Sequence, residues 1–91
     1  MFTLQYDTTK ALKNDKKRLS HNAKVAQVIQ SKLEDFRINP ESSQFNVKKM
    51  KPNSSERFRL RIWDYRIIYS IDFWNNIIIV HRIGLRKDIS K

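Results

Sequence analysis

The chain has no cysteine, one glycine (Gly84) and two histidines, His21 and His81. Without cysteine there are no disulfides, thiolate metal sites or thiol catalysis. Two histidines do not make a histidine-rich metal centre, so no metal is expected. A single glycine removes every glycine-rich phosphate loop from consideration. Long apolar runs are also missing: the longest is Ile77–Val80, far short of a membrane span. The opening MFTLQYD lacks the basic start and apolar stretch of a signal peptide, so a cytoplasmic protein is expected. Acidic residues are scarce, 9 against 19 Lys and Arg. At 91 residues the chain is expected to be a single domain spanning 1–91, with a core too modest for a large cofactor pocket, and no small-molecule cofactor.

What is present points to a folded basic protein. Hydrophobic residues make up 40% of the chain and ten aromatics are among them, more than a disordered basic tail carries. The formal charge of +10 calls for a polyanionic partner, either nucleic acid or an acidic protein. Residues 1–47 hold 8 basic and 5 acidic side chains, and residues 48–91 hold 11 and 4, so the excess sits in the second half.

The hydrophobic period changes along the chain. Phe2 to Tyr6 alternates as a half-buried strand does. Asp7, Thr8 and Thr9 then offer capping oxygens for a very polar helix over Lys10 to Leu19. After a break at Ser20 to Asn22, Val25, Ala26, Ile29, Leu33 and Phe36 share one face of a second helix, which Pro40 ends. Phe45 and Val47 begin a strand that runs into Lys48, Lys49 and Lys51, followed by a turn at Pro52–Ser55. Phe58, Leu60 and Ile62 alternate with Arg57, Arg59 and Arg61, which separates a core face from a cationic one. A strand from Tyr65 to Asp72, a turn at Asn75-Asn76 and a strand from Ile77 to Ile83 complete the pattern. The order predicts an α+β fold: an N-terminal strand, then two helices packed on one face of a mainly antiparallel sheet of four to five strands.

Arginine dominates the strand cations, with Arg57, Arg59, Arg61, Arg66, Arg82 and Arg86. A guanidinium grips phosphate with a planar fork that lysine lacks. Among them lie Tyr65, Tyr69, Phe73 and Trp74, of which any that face outward would stack on unpaired bases and at least two are expected in the core. A solvated cationic face guarding the sheet against edge pairing accounts for the same pattern without a ligand.

Residues 57–72, RFRLRIWDYRIIYSID, and residues 79–89, IVHRIGLRKDI, resemble the RelE/ParE superfamily of bacterial and archaeal toxins. The close match covers about a third of the chain, and the rest agrees in element order. The resemblance implies a RelE-like toxin fold and a toxin of a type II toxin–antitoxin system, neutralised by a cognate antitoxin through an acidic segment that folds on binding. The favoured activity is metal-free cleavage of mRNA in the ribosomal A site, with the ribosome and mRNA as partners. Two alternatives remain, a ParE-like inhibitor of DNA gyrase and a member that binds RNA or antitoxin with weakened catalysis. By position, Arg59 and Arg61 match the family's strand cations, Arg66 its "YR" arginine and Arg86 the arginine after the last strand. Lys48, Lys49, Lys51, Arg82 and Lys87 are the expected substrate-binding cations. The chain departs from the pattern at Leu85, where a histidine often stands, at Ser90, where a tyrosine usually does, and at Arg61, where some relatives carry lysine. Each departure removes a proton-transfer group and leaves the phosphate clamps.

Cleavage by attack of the 2′-OH on the adjacent phosphate needs in-line orientation, charge stabilisation and proton transfer. Fixed arginines supply the first two. Guanidinium stays protonated and makes a poor shuttle. His81 is the strand residue whose type suits acid–base work, set against a structural histidine in the same place. Glu56, Lys49 and Lys51 are weaker choices. Gly84 is expected to serve the backbone, through a positive φ or close approach to a phosphate.

Overall fold

The computed structural model describes residues 1–49 and 57–85. Along the chain run β1 (Thr3–Tyr6), α1 (Lys10–Leu19), α2 (Ala23–Ile38), β2 (Asn46–Lys49), β3 (Phe58–Ile62), β4 (Tyr65–Asp72) and β5 (Ile77–Leu85). The strands form one five-stranded sheet in the order β1-β5-β4-β3-β2. Every pairing is antiparallel except β1 with β5, which is parallel and is reached by way of both helices and the β2–β4 meander. The expected α+β plan therefore holds, with five strands. The expected turn at Pro52–Ser55 lies outside the described residues.

Both helices start where the sequence supplies an oxygen. Thr9 accepts a hydrogen bond from the Leu12 amide, and Asn22 accepts one from Val25. Each satisfies a donor that the first helical turn leaves without a partner. Thr9→Ala is expected to cost about 1 kcal/mol of stability; an unchanged urea midpoint would show that α1 does not depend on its cap.

Ile29, Leu33 and Phe36 of α2 and Leu12 of α1 meet Leu60, Ile62, Ile67, Tyr69, Ile78, Val80 and Ile83 of the sheet in one core. The Phe36 ring meets Phe45 and Tyr69 edge-on, with centroids 5.1 Å away in both pairs. Such edge-to-face contacts add to the burial itself. Ile68 is also buried but stands apart from this cluster, on the other side of the sheet.

The β3–β4 connection is the two residues Trp63 and Asp64, with Trp63 at φ 55°; the β4–β5 turn has Asn76 at φ 55°. Asp72 carboxylate oxygens accept from the amides of Trp74 and Asn75 and from the Asn75 side chain, which fixes that turn. Of the four aromatics read as base-stacking or core, Tyr69 is buried and Tyr65 packs against the core, whereas Phe73 and Trp74 are exposed at the β4–β5 turn. β5 continues two residues past the expected Ile83, taking Gly84 and Leu85 into its ladder opposite Arg66 and Tyr65. Gly84 has no positive φ, so that reason for the glycine does not apply. It is a buried strand residue whose missing side chain keeps the sheet surface low beside Arg66. Among the described residues no helix is long and apolar enough to cross a membrane.

Candidate functional site

Strand alternation and register sort the cations by face. Leu60 and Ile62 point into the core, so Arg59 and Arg61 point away from the helices. Register aligns Asn46, Arg61, Arg66 and Gly84 in one row across β2, β3, β4 and β5. The next row is Lys48, Arg59, Ile68 and Arg82. Asn46, Lys48, Arg59, Arg61 and Arg66 line one recess of about 50 Å³. That is several waters' worth of space, suited to a phosphate group. Arg61 Nε donates to the Trp63 carbonyl at 3.0 Å, which ties its stem to the β3–β4 turn. Ile68 lies beneath this face, shielded by the long aliphatic stems of its cationic neighbours.

Like charges directly opposite one another, as Arg61 and Arg66 are, oppose folding. Four cations around one recess make a concentrated positive field there.

The structure brings together Lys48, Arg59, Arg61 and Arg66 of the residues singled out from sequence. Lys49 is exposed and in register with Phe58, whose side chain belongs to the core face, so it does not join them. Arg82 is also engaged elsewhere. Its Nε and one terminal nitrogen donate to the two Asp15 oxygens at 2.7 and 3.2 Å, and this partner raises its pKa further. Asp15 is 2% exposed and also accepts the Ile83 amide at 3.1 Å. β1 pairs with β5 only as far as Val80, and α1 covers the following stretch of β5 with this carboxylate. Arg86, Lys51 and Lys87 lie outside the described residues.

His81 sits where β4 and β5 fall out of step. Tyr69 pairs with Val80 and Ile68 with Arg82, so His81 is the extra residue of a β-bulge. Its Nδ1 is 2.8 Å from Asp7 Oδ2 and its Nε2 is 2.8 Å from Ser70 Oγ. The imidazole side chain is only 12% exposed. Asp7 stands just beyond β1, where its own amide closes on the Val80 carbonyl at 2.8 Å. The hydrogen bond from His81 holds the Asp7 carboxyl below the usual carboxylate range, with help from the Thr8 amide and the Arg57 charge.

That depression has a sign that acid titration reads. A carboxylate whose folded pKa is lowered stabilises the protein above its unfolded pKa and loses that contribution as pH falls through the folded value. Wild-type protein is therefore expected to exceed Asp7→Asn in stability at pH 7 and to lose that lead below about pH 4. A gap that stayed constant from pH 7 to pH 2.5 in urea titrations would contradict the pairing.

Sequence reasoning did not single out Asp7, Ser70 and Asp15 for these contacts. Asp15 carried a signal, since it lies three residues after Leu12 and four before Leu19, a charge on the apolar stripe of α1.

The family model for the ParE toxin of the type II toxin–antitoxin system, parDE, matches residues 6–89. The chain belongs to this family. The RelE/ParE resemblance seen at residues 57–72 and 79–89 thus extends over nearly the whole ParE-type chain. No curated relative matches it in sequence. Several solved structures share its fold. A metal-bound toxin from Helicobacter pylori superposes with a TM-score of 0.76 at 16% identity, covering 98% of this chain and 99% of that one. An archaeal RelE–RelB complex from Pyrococcus horikoshii gives 0.71 at 19% identity, covering 96% and 97%. The RelBE2 toxin–antitoxin complex from Mycobacterium tuberculosis gives 0.71 at 21% identity, covering 93% and 98%. At these identities the likeness concerns the fold.

Proposed function

We propose that this ParE-family toxin is a metal-free endoribonuclease that cuts mRNA on the ribosome, in the A site, and so stops translation in the cytoplasm. One observation carries the reading: Lys48, Arg59, Arg61 and Arg66 surround a phosphate-sized recess on the sheet face that the helices leave open. Arg59 and Arg66 grip the scissile phosphate and stabilise the charge that builds on it as the 2′-OH attacks. Arg61, tied at Nε to the Trp63 carbonyl, and Lys48 hold the flanking backbone in line. Lys51, Arg86 and Lys87, which lie outside the described residues, keep the RNA-contact roles that the resemblance implies for them. The chain works as one toxin domain without a cofactor. A cognate antitoxin with an acidic segment neutralises it by occupying the cationic face and folding there.

The test is to add purified protein to translating ribosomes, with excess chelator over free divalent ions that the ribosome does not need, and to map mRNA 5′ ends. Cuts within A-site codons are expected. Intact mRNA with folded protein would overturn the reading.

A second reading, inhibition of DNA gyrase, is favoured by the match to the ParE family model. It needs the cationic face only to bind, and it predicts loss of supercoiling with mRNA left whole.

A further inference from the structure

We propose that Ser70, His81 and Asp7 form a proton relay on the open sheet face, through which this toxin takes the proton from the attacking 2′-OH of its RNA. The proposal rests on the nuclease reading and adds the group which that reading lacks, since the arginines hold phosphate but move no protons.

The hydrogen bonds fix the direction of the relay. Ionised Asp7 only accepts, so a neutral His81 carries its proton on Nδ1, facing Asp7 Oδ2 at 2.8 Å. Nε2 is then a bare acceptor 2.8 Å from Ser70 Oγ, and the serine hydroxyl donates to it. A neutral imidazole oriented by a carboxylate on one nitrogen and facing a hydroxyl with the other is the arrangement that makes a hydroxyl a proton acceptor. The bulge accompanies it: Val80 pairs with Tyr69 and Arg82 with Ile68, which leaves His81 alone between the two pairings, with its ring on Ser70 while Arg82 reaches Asp15. The imidazole is nearly covered, so a substrate meets the half-buried Ser70 first.

Ser70 also lies beside the phosphate site. On β4 it stands two residues from Ile68, on the same face, and Ile68 is in register with Arg59. Diagonal neighbours of this kind are about 7–8 Å apart, a gap that a phosphate gripped by Arg59 bridges. Arg57, whose charge acts on Asp7, precedes Phe58 and so stands across from Ser70, since Phe58 pairs with Tyr69. The charged groups around the relay are thus Asp7 and Arg57, with the Arg82–Asp15 pair on the following residue.

In the step proposed, the 2′-OH gives its proton to Ser70 Oγ as the proton of Ser70 passes to His81 Nε2. The O2′–P bond forms and the P–O5′ bond breaks, leaving a 2′,3′-cyclic phosphate. The departing O5′ takes a proton from water. The imidazolium, held by Asp7, returns its proton to the hydroxide so formed.

Single-turnover cleavage on translating ribosomes tests this with Ser70→Ala, Ser70→Thr, His81→Gln and the Ser70→Ala/His81→Gln pair, each checked for folding by its thermal transition. Ser70→Ala and His81→Gln are each expected to lower the maximal rate about 100-fold or more, with the concentration for half-saturation unchanged. Ser70→Thr, which keeps the hydroxyl, restores most of the rate. The double variant is no slower than the worse single one, because the two act as a unit. The rate of the wild type rises with pH on the acidic side and that of His81→Gln does not. A Ser70→Ala protein that cuts at the wild-type rate, or losses that multiply in the double variant, overturns the relay and leaves the nuclease reading standing. Wild-type protein that leaves mRNA whole overturns both.

Discussion

Asp15→Ala is expected to destabilise the protein by about 2–4 kcal/mol, the largest loss from any single polar substitution in the described residues. The argument starts from position. Asp15 is charged and almost wholly buried, on a helix whose only fully buried apolar residue is Leu12. α1 therefore docks through a carboxylate as much as through a hydrophobic face. That carboxylate holds both arms of Arg82 and the amide of Ile83. Breaking a fully buried pair costs about 3–5 kcal/mol. Arg82 keeps about a third of its side chain in water, which softens its loss. The Ile83 amide is buried and has no water to turn to, which adds about 1–3 kcal/mol. Asp15→Asn retains an acceptor for Ile83 and should cost about half as much. A double-mutant cycle with Arg82→Ala should return a coupling energy above 1 kcal/mol. Additive losses in urea titration would mean that Arg82 and Asp15 touch without supporting one another.

Arg66→Ala and Arg59→Ala should have the largest effects on activity, each reducing mRNA cleavage about 100- to 1000-fold, the usual cost of removing a fixed donor at developing negative charge. Neither substitution should unfold the protein. Arg66 lies directly across from Arg61, so its removal relieves a like-charge contact that offsets part of the loss of its own contacts. Lys48, exposed on the edge strand β2, should matter less, about tenfold, mainly through binding that weakens with salt. Arg82→Ala makes the contrast: it should lower stability through Asp15 and leave the cleavage rate of the folded fraction near that of the wild type. If Arg82→Ala removed cleavage while Arg66→Ala spared it, the site would lie at the α1 edge of β5 and not in the recess.

The parts of this molecule that local rules govern could be read from its sequence. Thr9 and Asn22 cap the two helices because their oxygens precede polar and amphipathic runs, and the alternation of Phe58, Leu60 and Ile62 with Arg59 and Arg61 assigns the faces of β3. Once those faces are known, Arg66 and Lys48 fall on the cationic side by register alone. Alternation also separates Lys48 from Lys49, although a run of lysines reads as one patch. The contacts that could not be read are those joining distant stretches. Asp15 meets Arg82 across 67 residues and Asp7 meets His81 across 74. Both depend on a bulge at His81 as well as on β1 stopping at Tyr6, and although the alternation ends at Tyr6, the bulge leaves no mark in the hydrophobic period. Arg82 thus reads as one more strand cation until the position of α1 is known. Gly84 suggests a positive φ from sequence because the alternation reads as ending at Ile83, whereas β5 runs on to Leu85.

The most direct measurement is an NMR titration of the folded toxin with a short single-stranded RNA carrying 2′-deoxy sugars, which binds but cannot be cut. The account predicts that shifts gather on Lys48, Arg59, Arg61, Arg66 and Ser70, shrink as salt rises, and disappear from Arg59 in the Arg66→Ala protein. Shifts confined to the helices or to the exposed Phe73–Trp74 turn, with the β3–β4 face unchanged, would contradict it.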